Sequence, residues 1–248
     1  MHAFAPPSTQ VPRRTVDVAQ LERDGDLRGL VRALEDASAD GATKANAAAA
    51  LLNLAKGDAA NKAAIIAAGA LPPLVELLHG GLNQGKEKAA GALRNLAAGD
   101  AANRVAIITA GALPPLVELL RGGSDEGKVS AAAVLCNLAA GDAANKTAII
   151  TAGALPPLVE LLRVGSAEGK VNAASALKNL ANGDAANKAA IITAGGIRPL
   201  MELLRYGDSA EGRRNAAGAL YQLTLNDAAK LQVVGLGYTR DQLKVLLD

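Results

Sequence analysis

Tryptophan is missing from this 248-residue chain, and the other aromatics amount to one Phe and three Tyr, 2% in all. With half of the sequence apolar, the core must be filled by Ala, Leu, Ile and Val, and such a core grows by stacking thin layers. The single cysteine, Cys136, excludes an intrachain disulfide and a thiolate metal cluster. A reducing compartment, cytoplasmic or nuclear, is the expectation. The two histidines, His2 and His79, lie far apart in sequence and offer no pair for a metal and no base beside Cys136. Charge of one sign is not in surplus either: 26 Lys and Arg stand against 24 Asp and Glu, a net +2. That balance does not suit a protein that grips nucleic acid by releasing counterions along a basic face. No run of eighteen apolar residues occurs, and the first fifteen residues lack the apolar centre of a secretory signal. A soluble protein without membrane insertion is therefore expected.

Glycine and proline, 26 and 10 of them, fall at regular intervals and read as punctuation. The string GALPPLVELL begins at Gly69, recurs at Gly111 and Gly153, and returns as GGIRPLMELL at Gly195, each step being 42 residues. One unit, beginning at Asp100, resolves into three segments. In DAANRVAIITA, Asp100 is placed to accept from an unpaired backbone N–H as an N-cap, and Gly111 ends the segment, as a residue tolerant of the left-handed conformation does. In ALPPLVELLRGG, Pro114 and Pro115 stand in an opening turn where a missing N–H costs nothing, and Leu116, Val117, Leu119 and Leu120 form one buried face. In SDEGKVSAAAVLCNLAAG, Ser124 caps, acids occupy the first turn, and an Ala-rich run continues to Gly141. Each unit reads helix, helix, helix.

The ends are worn copies, as a solenoid requires if its terminal layers are to meet water. Around Leu27, Leu30, Val31 and Leu34 the string DLRGLVRALED imitates the second helix, without a clear first helix before it. From Asn226 the chain imitates the first two helices and stops, with Arg240, Asp241 and Lys244 making the last layer wettable. The expected organisation is a Pro-containing disordered tail over 1–14, a partial capping repeat over 15–57, four complete repeats over 58–225 and a partial capping repeat over 226–248. Arg13 and Arg14 raise the further possibility that the tail visits the binding surface.

Period and signature together resemble the armadillo repeat, with its A-G-A-L-P-x-L-V-x-L-L second helix and A-L-x-N-L-A third helix. The resemblance covers roughly residues 24 to 247 and returns in register several times. HEAT repeats share the size but lack the Gly-bounded first helix. The resemblance implies an all-α fold, a right-handed α-solenoid whose third helices line a concave groove, where one Asn per repeat bonds the backbone of an extended partner. The matching positions are Asn53, Asn95, Asn137 and Asn179, with Gln222 in the last copy. An amide offers a donor and an acceptor together, which suits a peptide backbone. The same Asn could instead tie its own layer to a neighbouring carbonyl, and the sequence leaves both readings open.

Import adaptors of this family carry a Trp one turn before the Asn; here those positions are Ala49, Gly91, Ala133, Ser175 and Gly218. Without aromatic walls, cation–π capture of basic signals is unavailable, so import-type binding is not expected. A further turn back lie Asn46, Lys88, Ser130, Asn172 and Asn215, and beside the Asn stand Arg94, Cys136, Lys178 and Tyr221. These vary on a nearly constant frame. Lys88, Arg94, Lys178 and Arg214 give the face a mild basic cast, which favours a partner with acidic residues; the competing reading makes them solvated helix positions only.

Several strings look chemical. Gly80 to Lys86 and Gly122 to Lys128 fit G-x-x-x-x-G-K, but Glu87 and Val129 stand where a magnesium-binding Ser or Thr belongs. His79 ends a second helix where other copies have Arg121, Arg163 and Arg205. Asn145-Lys146-Thr147 spells a glycosylation sequon inside the repeat frame. The expected function is a monomeric, cofactor-free interaction scaffold that binds an extended segment of another protein. An adaptor solenoid belonging to a larger chain or assembly is the alternative, and an enzyme would need a convergent acid, base or nucleophile that the repeats do not supply.

Overall fold

A computed structural model describes residues 16–57 and 59–247; the expectation of a disordered tail, with its Arg13 and Arg14, falls outside them. Seventeen α-helices and no strand are present among the described residues. The chain opens with α1 (Val18–Asp24), α2 (Leu27–Glu35) and α3 (Gly41–Leu54). Four three-helix units follow: α4 (Ala59–Ala67), α5 (Leu71–Gly80), α6 (Asn83–Ala97); α7 (Ala101–Thr109), α8 (Leu113–Gly122), α9 (Asp125–Ala139); α10 (Ala143–Thr151), α11 (Leu155–Val164), α12 (Ala167–Ala181); α13 (Ala185–Thr193), α14 (Ile197–Tyr206), α15 (Ala210–Leu223). It closes with α16 (Asp227–Gly235) and α17 (Arg240–Val245).

The punctuation works as its chemistry predicts. Asp100 Oδ1 accepts from the backbone N–H of Ala102 at 2.7 Å, capping α7. Gly111 then adopts φ +83° and donates its N–H to Ile108 O at 3.0 Å, so the chain leaves α7 and enters α8 at 81°. The first and second helices of two other units are set at 77° and 80°. Third helices stack on third helices and second helices on second helices, each unit contacting its neighbours in the row. Ile107, Leu116, Leu135 and Leu138 are fully buried, and Ala131 and Ala132 let adjacent third helices approach. One continuous aliphatic cluster runs from Val18 to Leu243, the thin-layer core that the lack of aromatics requires.

The phosphate-loop resemblance dissolves in this packing. Gly127 lies in the first turn of α9 and faces α8; a Cβ there would sit 2.9 Å from Leu119 Cδ1. Close helix approach, not anion binding, explains the glycine. The sequon is likewise spent on structure, with Asn145 buried in the first turn of α10.

Both ends differ from the sequence reading. Before the second-helix mimic α2 stands α1, which packs on α3 in the layer of third helices. At the far end α17 occupies the register of a second helix, yet it packs chiefly on the third helix α15. Gly237 at φ +92° and a capping box at Thr239 redirect the chain, and Leu243 is buried completely where α17 meets the core. Among the described residues no single helix is long and apolar enough to cross a membrane.

Candidate functional site

The third-helix layer, α3, α6, α9, α12 and α15, carries the residues singled out in the sequence. Three of the repeated asparagines make the same contact. Asn95 Nδ2 donates to Leu52 O at 3.1 Å, Asn137 Nδ2 to Arg94 O at 2.9 Å, and Asn179 Nδ2 to Cys136 O at 3.0 Å. Each acceptor lies in the last turn of the preceding third helix, where carbonyls lack a full set of intrahelical partners. The amide therefore caps the neighbouring helix in trans. This is the layer-tying role that the sequence left open; Asn179 Nδ2 also donates to Cys136 Sγ at 3.6 Å. The half-buried amide oxygens of Asn95 and Asn137 accept no hydrogen bond among the described residues and are not buried atoms.

The ladder stops at both ends for local reasons. Asn53 is exposed; its Nδ2 donates to Glu22 Oε1 of α1 at 3.0 Å, and its Oδ1 accepts from Lys56 Nζ at 3.2 Å. At the far end the repeated Asn is replaced by Gln222, which is half-buried without a side-chain hydrogen bond among the described residues; Lys178 O, the acceptor in register, receives the N–H of Asn182 at 3.0 Å.

A second ladder joins the position beside one Asn to the position one turn before the next. Leu52 crowds Gly91, where a Cβ would meet its Cδ1; Cys136 Sγ donates to Ser175 Oγ at 3.1 Å; Lys178 Cδ would lie 2.8 Å from a Cβ on Gly218. Three of the places where import adaptors hold Trp, Gly91, Ser175 and Gly218, are thus occupied from the preceding repeat. Burial pushes the Cys136 thiol above its ordinary pKa, with the Ser175 hydroxyl and the Lys178 charge opposing. A thiol so held is not an activated nucleophile.

The outer positions divide. Lys88, Arg94 and Ser130 are half-buried, and Lys88 and Arg94 make no ion pair among the described residues. Asn46 is exposed beside an open cavity shared with Val16 and Glu22. Asn172 Nδ2 donates to Val129 O at 3.3 Å, another tie between layers. Two expected surface residues are withdrawn from the face. Asn215 is 5% exposed, and its Oδ1 accepts from Lys178 Nζ at 2.6 Å. The Tyr221 ring lies under the Arg240 guanidinium of α17, 4.6 Å from its centroid. The folding back of α17 causes the second change, and helix-to-helix approach the first.

Sequence reasoning passed over the asparagine of each DAAN string. Asn103, Asn145 and Asn187 are buried, and Asn103 Nδ2 donates to Leu96 O at 3.2 Å, fastening α7 to the end of α6. The signal was there: a polar residue recurring in the first turn of a short helix at fixed distance from its cap. Exposed His79 pairs with Glu118 at 3.6 Å, and no group of three or more metal-ligating side chains gathers among the described residues.

A family model described as Armadillo/beta-catenin-like repeat matches residues 58–98, 100–140, 142–182 and 184–225. An engineered protein of known crystal structure is 34% identical with a TM-score of 0.81, over 90% of this chain and 97% of that one. Computationally designed armadillo repeat proteins for modular peptide recognition are similar at 36% identity and a TM-score of 0.79, over 85% and 88% of the two chains. A designed armadillo repeat protein in complex with the peptide (KR)4 is similar at 35% identity and 0.74, over 83% and 85%. Among curated proteins none matches significantly.

Proposed function

Since this chain belongs to the armadillo repeat family, we propose that its third-helix layer is the floor of a groove that binds an extended segment of another protein. The observation that carries this reading is the row formed by Asn95, Asn137 and Asn179, one per repeat and each held by the carbonyl of the preceding layer. A side chain held in this way has already lost its rotamer freedom, so the cost of ordering it on binding falls. The free amide oxygens then meet the N–H groups of a partner backbone at intervals of one repeat. Structural neighbours designed for peptide recognition support the same assignment.

Selectivity comes from Lys88 and Arg94, the half-buried cations without acidic partners, which favour an acidic segment. In this respect the chain parts from its (KR)4-binding neighbour. The protein works as a monomeric intracellular scaffold, in cytoplasm or nucleus, without catalysis, cofactor or nucleic acid. Fluorescence anisotropy with acidic and basic peptides of equal length tests the proposal. Acidic peptides should bind more tightly, and Arg94→Glu should abolish that preference. Tighter binding of basic peptides defeats the acidic assignment. Undiminished affinity in the combined Asn95→Ala, Asn137→Ala and Asn179→Ala variant, still folded, defeats the groove itself.

A further inference from the structure

Away from the third-helix layer the molecule repeats another feature. In the angle between α8, the first turn of α9 and α11 lies an open cavity of about 430 Å3, walled by Leu120, Pro157 and Leu161. One repeat on, between α11, α12 and α14, lies its counterpart, also about 430 Å3, walled by Leu162, Pro199 and Leu203. A third, of about 560 Å3, stands at Leu204 against Tyr238 and Leu246 of the C-terminal segment.

The first two cavities carry the same pair of charges, a lysine from the third helix (Lys128, Lys170) and a glutamate from the next second helix (Glu160, Glu202). Lys128 lies 4.0 Å from Asp125, and Glu160 3.5 Å from Arg163; such exposed pairs exchange readily for others. Each cavity is also lined by a large exposed side chain, Val164 at 73% and Tyr206 at 77%, in register with Gly80 and Gly122 of the earlier repeats. Apolar walls therefore lie between a lysine and a glutamate, with Arg121 and Asp125 also at the mouth of the first cavity and Arg163 and Asp208 at that of the second.

Spacing selects the occupant. Packed helices lie about 8–10 Å apart, so cavities one repeat apart recur at about that distance. A polyproline II chain has three residues per turn and rises about 3.1 Å per residue, so every third side chain returns to one face after about 9 Å. In a β-strand the third residue along points the opposite way. The three faces of a polyproline II helix match the apolar walls, the glutamate rim and the lysine rim. We propose that this row is a second binding surface, separate from the third-helix groove. Its ligand is a polyproline II segment of a partner protein, with an aliphatic residue at every third position and one basic and one acidic residue between.

The probes are fluorescein-labelled twelve-residue peptides of four Leu-Lys-Glu or four Leu-Glu-Lys triplets, one for each chain direction, and an isomer with its leucines at alternate positions. Full-length protein should bind one triplet order saturably and the isomer about tenfold more weakly, since misplacing one aliphatic anchor forfeits its burial. Val164→Glu combined with Tyr206→Glu should weaken binding by about tenfold or more without lowering the melting temperature, because both side chains are exposed. The combined Asn95→Ala, Asn137→Ala and Asn179→Ala variant should bind the probe as the parent does, so failure of the groove reading leaves this result untouched. Photo-leucine in the probe should crosslink to residues 120–128, 155–171 or 197–209, which line the cavities. No binding, equal binding of the isomer, loss of binding in the asparagine variant, or crosslinks confined to residues 91–97, 133–139 or 175–181 of the third-helix groove would each overturn the proposal.

Discussion

If Asn137 caps α6 in trans, its substitutions should rank in an order that a solvated asparagine would not show. Its Nδ2 donates to Arg94 O at 2.9 Å, in the last turn of α6. Asn137→Ala removes a hydrogen bond with a net contribution of about 1 kcal/mol, and recovers about 0.5 kcal/mol because Ala is the better helix former. The half-buried site lets water reach the freed carbonyl, so the net loss is about 0.5 kcal/mol. Asn137→Asp keeps the shape but sets a carboxylate against a carbonyl oxygen at the negative end of a helix, with no donor between them. The expected loss is about 2 kcal/mol at neutral pH. The introduced carboxyl has its pKa raised in the folded state, because both burial and the carbonyl disfavour the anion. Its penalty is therefore full above the folded pKa and disappears as pH falls toward the unfolded value. Thermal melting by circular dichroism at pH 7 and pH 4 reads both effects; for a chain of this size about 1 kcal/mol corresponds to about 2–4 °C. Equal melting temperatures for the two variants at pH 7, or an Asp variant insensitive to pH, would refute the capping role.

Other consequences can be measured separately. Gly111→Ala should destabilise by about 1–2 kcal/mol in a urea titration from backbone conformation alone, since φ is +83° and a Cβ there meets nothing within 4 Å. Leu135→Ala, at a fully buried position in the central repeats, should cost about 2–5 kcal/mol and broaden the transition by uncoupling the two halves of the solenoid. Iodoacetamide should alkylate Cys136 more slowly at pH 8 than a free cysteine peptide, with the rate still rising at pH values where the peptide has levelled off, because burial raises the thiol pKa. Gly91→Trp should create no lysine slot, because Leu52 already fills that space; oligolysine affinity should be unchanged.

Helix order, repeat period and caps were legible because they rest on local chemistry. Asp100, Pro114, Gly111 and Ser124 act on backbone groups within a few residues of themselves, and the stripe of Leu116, Leu119 and Leu120 follows the helical period. The candidate site was only half legible. Sequence spacing put Asn95, Asn137 and Asn179 on one helical face, but the partner of each amide lies 43 residues back, on a separate helix. Its distance depends on how far apart the layers settle. The same holds for Leu52 over Gly91 and for Asn103, whose partner is the last turn of α6.

The amino-acid sequence alone determined that this is an aliphatic solenoid of 42-residue, three-helix units, because periodic burial and backbone capping are short-range properties that every copy states again. Only the tertiary structure decided which polar groups stay open on the third-helix face and which fasten one layer to the next. It turned Asn215 inward onto Lys178 and laid α17 across α15 so that Arg240 covers Tyr221. Those outcomes depend on contacts between repeats and at a chain end, where the repeat pattern no longer dictates what the neighbour is.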